Sequence, residues 1–315
     1  MGSLRLKLYH AGQPMSLSDV LPVLENMGVR VIDERPYGIR PEGAGPCWIH
    51  DFGLSHDPEL DLDTGQLRDA FQSGFAAIWR RETNDDGLNR LILLAGLTWR
   101  EICILRAYAQ YLRQAGMAYS QPYMESTLAD HPAIASGLIK LFRARFDPDH
   151  ADAGRAGRLA YELDAQLEAV QSLDDDRILR RLRDAMLATL RTSFFRRDAQ
   201  GRPHPSLALK LRPERIPGVP KPVPAFEIFV SSPRVEGVHL RGGKVARGGL
   251  RWSERREDYR TEILGLMKAQ MVKNALIVPV GAKGGFVCKR LPRERQAQRD
   301  EVLACYRLFI RALLD

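Results

Sequence analysis

Apolar and polar positions alternate with a period of two over residues 4–9. Leu4, Leu6 and Leu8 share one face and Arg5 and Lys7 the other, which predicts a β-strand. After Gly12 and Pro14 the period lengthens, predicting a helix over residues 16–27 with Gly28 as its C-terminal cap. Residues 29–37 and 47–56 return to strand patterns. The order β-α-β-β is the first two-thirds of a ferredoxin-like unit. In the third strand His50 and His56 fall on the face of Trp48, Phe52 and Leu54, and Asp51 falls on the other. These side chains do not converge as metal ligands, so satisfied or rim histidines are expected and no metal site.

From Asp61 the pattern turns helical, with an apolar stripe at Leu67, Phe71, Phe75, Ile78 and Trp79. Thr98 and Glu101 form a capping box, and Gly116 closes the helix that follows. A further helix is expected over 132–146, then a helical hairpin over 155–172 and 174–195. Near residue 200 the composition shifts to proline and glycine, and strands are expected at 207–211 and 226–230. The reading is a multidomain α+β chain. Its β-α-β-β module spans 1–60, a helical region 61–200, and an α/β unit that begins with strands 201–315.

Residues 241–289 carry the candidate chemistry. The pairs Gly242-Gly243 and Gly248-Gly249 come first, then a helix predicted over 258–273 and an apolar strand predicted over 276–280. Gly281-Ala282-Lys283-Gly284-Gly285 follows. Paired glycines are expected to supply positive φ and to let a ligand approach the main chain. Lys268 and Lys273 lie in the last two turns of the helix, where a cation complements the C-terminus. The strand would bring Lys283 back to the same place. Clustered cations suit acid–base chemistry and make a receptor for a dicarboxylate.

Composition narrows the reading only slightly. Forty-seven Lys and Arg against 39 Asp and Glu give a net charge of +8, but the signs are interleaved and no basic stripe alternates with aromatics. Nucleic acid is therefore not the expected partner, and anionic small substrates explain the surplus equally well. No apolar run approaches bilayer length, so no membrane contact is expected. Cys47, Cys103, Cys288 and Cys305 stand far apart without a C-x-x-C pair, which makes a reducing cytoplasm the default.

The segment RGGLRWSERREDYRTEILGLMKAQMVKNALIVPVGAKGGF, with Arg247-Gly248-Gly249-Leu250-Arg251 at its head, resembles the substrate-binding domain of glutamate dehydrogenases. It is most similar to the large bacterial NAD-specific class. LPVLENMGVRVIDERPYGI, WIHDFGLSH and GLTWREICILRAYAQYLRQAGMAYSQPY resemble that class too, so the likeness extends over nearly the whole chain.

The resemblance implies an ACT-type regulatory module, a helical region and part of a substrate-binding domain. It also implies oxidative deamination of L-glutamate to 2-oxoglutarate and ammonia with NAD as hydride acceptor, in a homo-oligomeric enzyme. By similarity Lys283 is the catalytic lysine, activating water and stabilising charge at the carbinolamine stage. Lys273 holds a substrate carboxylate, Lys268 is a second cation, Gly248 and Gly249 line the substrate, and Arg247 and Arg251 complete the binding set. Two positions depart from the compact glutamate dehydrogenases: Arg247 replaces a lysine, and Val280 replaces the first glycine of G-G-A-K. Arginine can hold a carboxylate bidentately, with a different reach.

No G-x-G-x-x-G follows a strand, and nothing matches the surroundings of the family's catalytic aspartate. Members of the class are several times longer, so the expectation is a piece of such an enzyme without its NAD-binding domain, inactive alone. Two alternatives stand beside this reading. One is a non-catalytic module in which the β-α-β-β unit senses an amino acid. The other is a different lysine-based amino-acid dehydrogenase, which Arg247 and Lys268 speak against.

Overall fold

The computed structural model describes residues 2–43, 45–56 and 65–315. The expected turn into helix at Asp61 lies outside them. The chain divides into two compact units, Met1–Ile102 with Leu128–Ser136, and Cys103–Thr127 with Gly137–Asp315.

The first unit opens with strand β1 (Gly2–Ala11), helix α1 (Leu17–Asn26), β2 (Arg30–Ile39) and β3 (Cys47–His56). The strands form an antiparallel sheet in the order β1-β3-β2, as a β-α-β-β module requires. Register pairs Leu4 with Leu54 and Leu6 with Phe52, so the alternation in β1 and β3 lands on one face. Val20, Val23 and Leu24 of α1 are buried, as are Phe52 and Leu54. Gly28 ends the helix at φ +88°, a conformation glycine takes without Cβ strain. His50 is a satisfied core histidine. Its Nε2 accepts from the Met15 N–H at 3.1 Å, which leaves Nδ1 to donate to Glu34 at 2.8 Å.

Helices α2 (Gly65–Trp79) and α3 (Leu91–Ala95) follow, then α4 (Trp99–Gln114), α5 (Gln121–Asp130) and α6 (Pro132–Phe146). The expected capping box starts α4: the Thr98 N–H donates to Glu101 Oε2 at 2.9 Å, and the Glu101 N–H donates to Thr98 Oγ1 at 3.3 Å.

The second unit contains α7 (Ala153–Glu168) and α8 (Leu173–Ala188), the expected hairpin with a shorter second arm. Helix does not continue to 195. Thr189 takes an extended ψ of 133°, and Thr189–Thr192 becomes strand β4, paired with β5 (Leu207–Leu211). Two β-branched threonines and an available ladder partner outweigh the helical spacing. The Thr189 hydroxyl is bonded to the Ala185 carbonyl and to Tyr108.

Next come β6 (Phe226–Ser231), β7 (Val235–Arg241), β8 (Ala246–Arg247), β9 (Leu250–Trp252), α9 (Tyr259–Lys273), β10 (Val280–Cys288) and α10 (Arg295–Leu314). The sheet runs β4-β5-β6-β7-β10-β8, and β9 also pairs with β10. Only β8 and β9 run parallel to their neighbour β10. One face carries Phe286, Val230 and Cys288 against Phe309, Cys305 and Ala312 of α10. The other is covered by α9, whose Tyr259, Arg260, Ile263, Leu264 and Met267 are buried.

Residues 276–280 do not form the expected strand. Leu276 is 98% exposed and Val278 78%, in a loop closed by the Asn274 side-chain amide, which donates to the Pro279 carbonyl at 3.1 Å. Pairing begins only at Val280, whose N–H reaches the Val245 carbonyl. An apolar run without a partner strand has no ladder to join.

Candidate active site

Strand alternation explains the Gly281–Gly285 motif. Gly281, Lys283 and Gly285 face α9, and Ala282, Gly284 and Phe286 face the other way. A Cβ at Gly281 would stand 2.5 Å from the Met271 nitrogen, and one at Gly285 2.2 Å from Ile263 Cδ1. The two glycines therefore let α9 settle directly on the strand, with Lys283 between them. Lys283 is half-buried.

The adjoining segment 246–250 supplies the floor. Arg247 pairs with Gly281 and Leu250 with Gly284, so Gly248 and Gly249 pass beside Ala282 and Lys283. The Gly284 N–H donates to the Gly249 carbonyl at 3.0 Å. A Cβ at Gly248 would lie 1.6 Å from the Ala282 oxygen, which no side chain can satisfy. At Gly249 the same atom would stand 3.6 Å from Lys283 Nζ, an ordinary contact. The Lys283 ammonium thus sits over bare backbone at Gly249.

None of these glycines uses positive φ. The positive-φ glycines among the described residues are elsewhere, from Gly12 to Gly218, so the expectation of left-handed backbone in the site is corrected. Close approach of main chains is what demands glycine here.

The remaining candidates are exposed. Lys268 and Lys273 lie on α9, whose Gln270 and Met271 backbone touches Gly281. Five residues apart, they leave the helix roughly 140° apart about its axis, on different sides. The side chains of Arg247, Lys268, Lys273 and Lys283 have no hydrogen-bonding or ionic partner among the described residues. Arg251 differs: its Nε meets Glu262 Oε1 at 3.0 Å, and the Ser253 hydroxyl donates to the other oxygen of Glu262 at 2.6 Å. Arg247 and Lys283 thus lie on neighbouring backbone, whereas Lys268 and Lys273 project from different sides of α9.

Sequence reasoning missed what anchors α9. Arg260 and Glu227 of β6 are wholly buried and joined by two hydrogen bonds of 2.8 Å. The Tyr111 hydroxyl donates to Glu227 at 3.4 Å, and the Tyr259 hydroxyl to Glu236 at 3.3 Å, where Lys289 also pairs at 3.1 Å. Burial pushes both phenols well above their ordinary range. Burial opposes the Arg260 charge, but the Glu227 carboxylate more than offsets it and holds the guanidinium ionised. The signal was present: Arg260 stands three, four and seven residues before Ile263, Leu264 and Met267, on the buried face.

An α/β unit with a lysine set in glycine-lined backbone, preceded in the chain by a β-α-β-β module, is the class these features define. Family comparison gives the same order. Residues 1–67 match the glutamate dehydrogenase ACT3 domain, 83–148 the helical motif 3 of glutamate dehydrogenase, and 162–315 the catalytic domain of bacterial NAD-glutamate dehydrogenase. The chain belongs to the bacterial NAD-specific glutamate dehydrogenase family. It is 53% identical to the NAD-specific glutamate dehydrogenase of Halomonas elongata, over 98% of this chain and 19% of that protein. The enzymes of the same name from Pseudomonas aeruginosa and Mycobacterium tuberculosis are 50% and 49% identical, each with 20% of its length covered. The chain spans about a fifth of the length of the curated relatives it matches.

Proposed function

We propose that this chain carries the ACT-type, helical and glutamate-binding parts of an NAD-dependent glutamate dehydrogenase, divided near residues 60 and 200. The enzyme would be cytoplasmic and homo-oligomeric. It would oxidise L-glutamate to 2-oxoglutarate and ammonia. The observation that carries the reading is the Lys283 amine over the bare backbone of Gly249, with Arg247 on the paired strand beside it.

In this reading Lys273 and Arg247 hold the two substrate carboxylates, with Lys268 as a further cation and Arg251 held at the rim by Glu262. The backbone at Gly248 and Gly249 supports the substrate's carbon chain. With its amine neutral, Lys283 Nζ takes a proton from the water that adds to the protonated C=N carbon, which leaves a neutral carbinolamine beside a Lys283 ammonium. That ammonium protonates the amine, and the C–N bond breaks as the C=O forms, with the hydroxyl proton passing to the departing ammonia. Residues 2–43, 45–56 and 65–315 contain no G-x-G-x-x-G turn, so they do not fit a dinucleotide, and NAD is assigned to none of them.

The test is calorimetric titration of the 315-residue chain with 2-oxoglutarate and glutamate. Saturable binding of the dicarboxylate, weakened about tenfold or more by Lys273→Ala, is expected for loss of a charge-assisted contact. Binding unchanged by Lys273→Ala would move the ligand to the ACT-type unit. Tighter binding of 4-methyl-2-oxopentanoate than of 2-oxoglutarate would favour a dehydrogenase of apolar amino acids. No helix among the described residues is long and apolar enough to cross a membrane.

A further inference from the structure

Lined by none of the residues around Lys283, a cavity of about 400 Å³ lies in the second unit, within the range of roughly 300–1,000 Å³ typical of small-ligand pockets. One wall is apolar: Leu112 and Met117 at the end of α4, with Ile216 and Val219 from the loop after β5. The charged face of α8 also lines the cavity, with Asp176, Arg177, Arg180, Arg181 and Asp184.

The charges on that face are unequally satisfied. Asp176 is taken by Arg180 at 2.6 Å, and Asp184 by Arg183 at 2.9 Å. Arg177 reaches Asp174 at 3.5 Å. Arg181, half-buried in the cavity wall, has no hydrogen-bonding or ionic partner among the described residues. Its guanidinium lies against Gly218, where a Cβ would stand 2.9 Å from Nη1 and 3.0 Å from Nη2. Gly218 is at φ +76°, so both its conformation and the arginine beside it exclude a side chain. Backbone packing, and no carboxylate, positions this guanidinium.

A guanidinium held in place by packing and lacking a protein acceptor gains from an incoming anionic oxygen. Because both lining carboxylates are engaged, the spare charge of the cavity is cationic and localised on Arg181. The apolar part of the same lining offers hydrocarbon contact. We propose that this cavity binds a small amphiphilic anion, with its carboxylate or phosphate on Arg181 and its hydrocarbon body on Leu112, Met117 and Ile216.

The experiment titrates the 315-residue chain with hexanoate and with hexyl phosphate, the two arms separating the carboxylate from the phosphate source. At least one should saturate, and Arg181→Gln should weaken it about tenfold or more, as loss of a charged hydrogen bond does. Lys273→Ala should leave it unchanged. Hydrogen exchange should slow at 112–119 and 216–219 on binding. Failure of both probes to saturate, binding that survives Arg181→Gln, or binding that follows Lys273 would each overturn the proposal. Should Arg181→Gln fail to fold by circular dichroism, the exchange footprint on the unsubstituted chain decides: protection elsewhere overturns it.

Discussion

Arg260 and Glu227 meet through two 2.8 Å hydrogen bonds, and solvent reaches neither side chain. The pair ties α9 to β6, and α9 in turn flanks Lys283. Arg260→Met leaves a buried carboxylate without a counter-charge, which should cost about 3–5 kcal/mol. Replacing both partners, as Arg260→Met with Glu227→Gln, removes the stranded charge and should cost distinctly less. Urea unfolding of the three proteins checks this. A double variant as unstable as the single one would show that the pair does not act as a unit.

The two floor glycines should respond differently to one methyl group. At Gly248 a Cβ meets the Ala282 carbonyl, and backbone cannot yield as a flexible side chain can. Gly248→Ala should therefore destabilise by about 1–3 kcal/mol, as overpacking does. Gly249→Ala meets only the end of Lys283 at contact distance, so the fold should survive while binding of 2-oxoglutarate weakens. Denaturation midpoints and titrations on both variants test the contrast, and equal loss of stability would contradict it.

Legibility followed the range of the interaction. The Thr98–Glu101 capping box lies within one turn and was readable from its own residues. Thr189 could not be read as a strand because its partner, Leu211, lies beyond a proline- and glycine-rich stretch. The run 276–280 failed for the opposite reason: its composition suited a strand, and no neighbour was there to pair. In the site, the residue types were visible but not their reason. Whether a glycine serves positive φ or close approach depends on the atom it faces, and at Gly248 that atom belongs to Ala282, on another strand. The burial of Arg260 showed in its spacing, but Glu227 lies 33 residues earlier.

His239, on β7 opposite Gly284, gives the second unit an acid sensitivity. Burial, with the Arg241 charge adding to it, holds this imidazole below its ordinary value. In the unfolded chain it takes up a proton near pH ~6.5, whereas the folded protein keeps it neutral to lower pH. The stabilisation is complete above that value. It declines as pH falls through the window between the unfolded and folded values, where the unfolded state binds more protons. Denaturation midpoints between about pH 7.5 and 5.5, bracketing that reference value, should fall less steeply for His239→Gln than for the unsubstituted chain. Parallel declines would remove His239 as the cause.

The loop between α9 and β10 provides the sharpest test of the corrected reading of 276–280. Had these residues formed a core strand, trimming Leu276 would cost about 2–5 kcal/mol, as core truncations do. Here Leu276 is 98% and Ile277 59% exposed, so neither side chain loses much contact with water on folding. Leu276→Ser and Ile277→Thr should each change stability by no more than about 0.5 kcal/mol. Leu240→Ala serves as the control. That leucine is fully buried on β7 opposite Lys283, and its loss should cost about 2–5 kcal/mol. Guanidinium midpoints for the three variants decide the matter: a Leu276→Ser loss approaching that of Leu240→Ala would place the loop in the core after all.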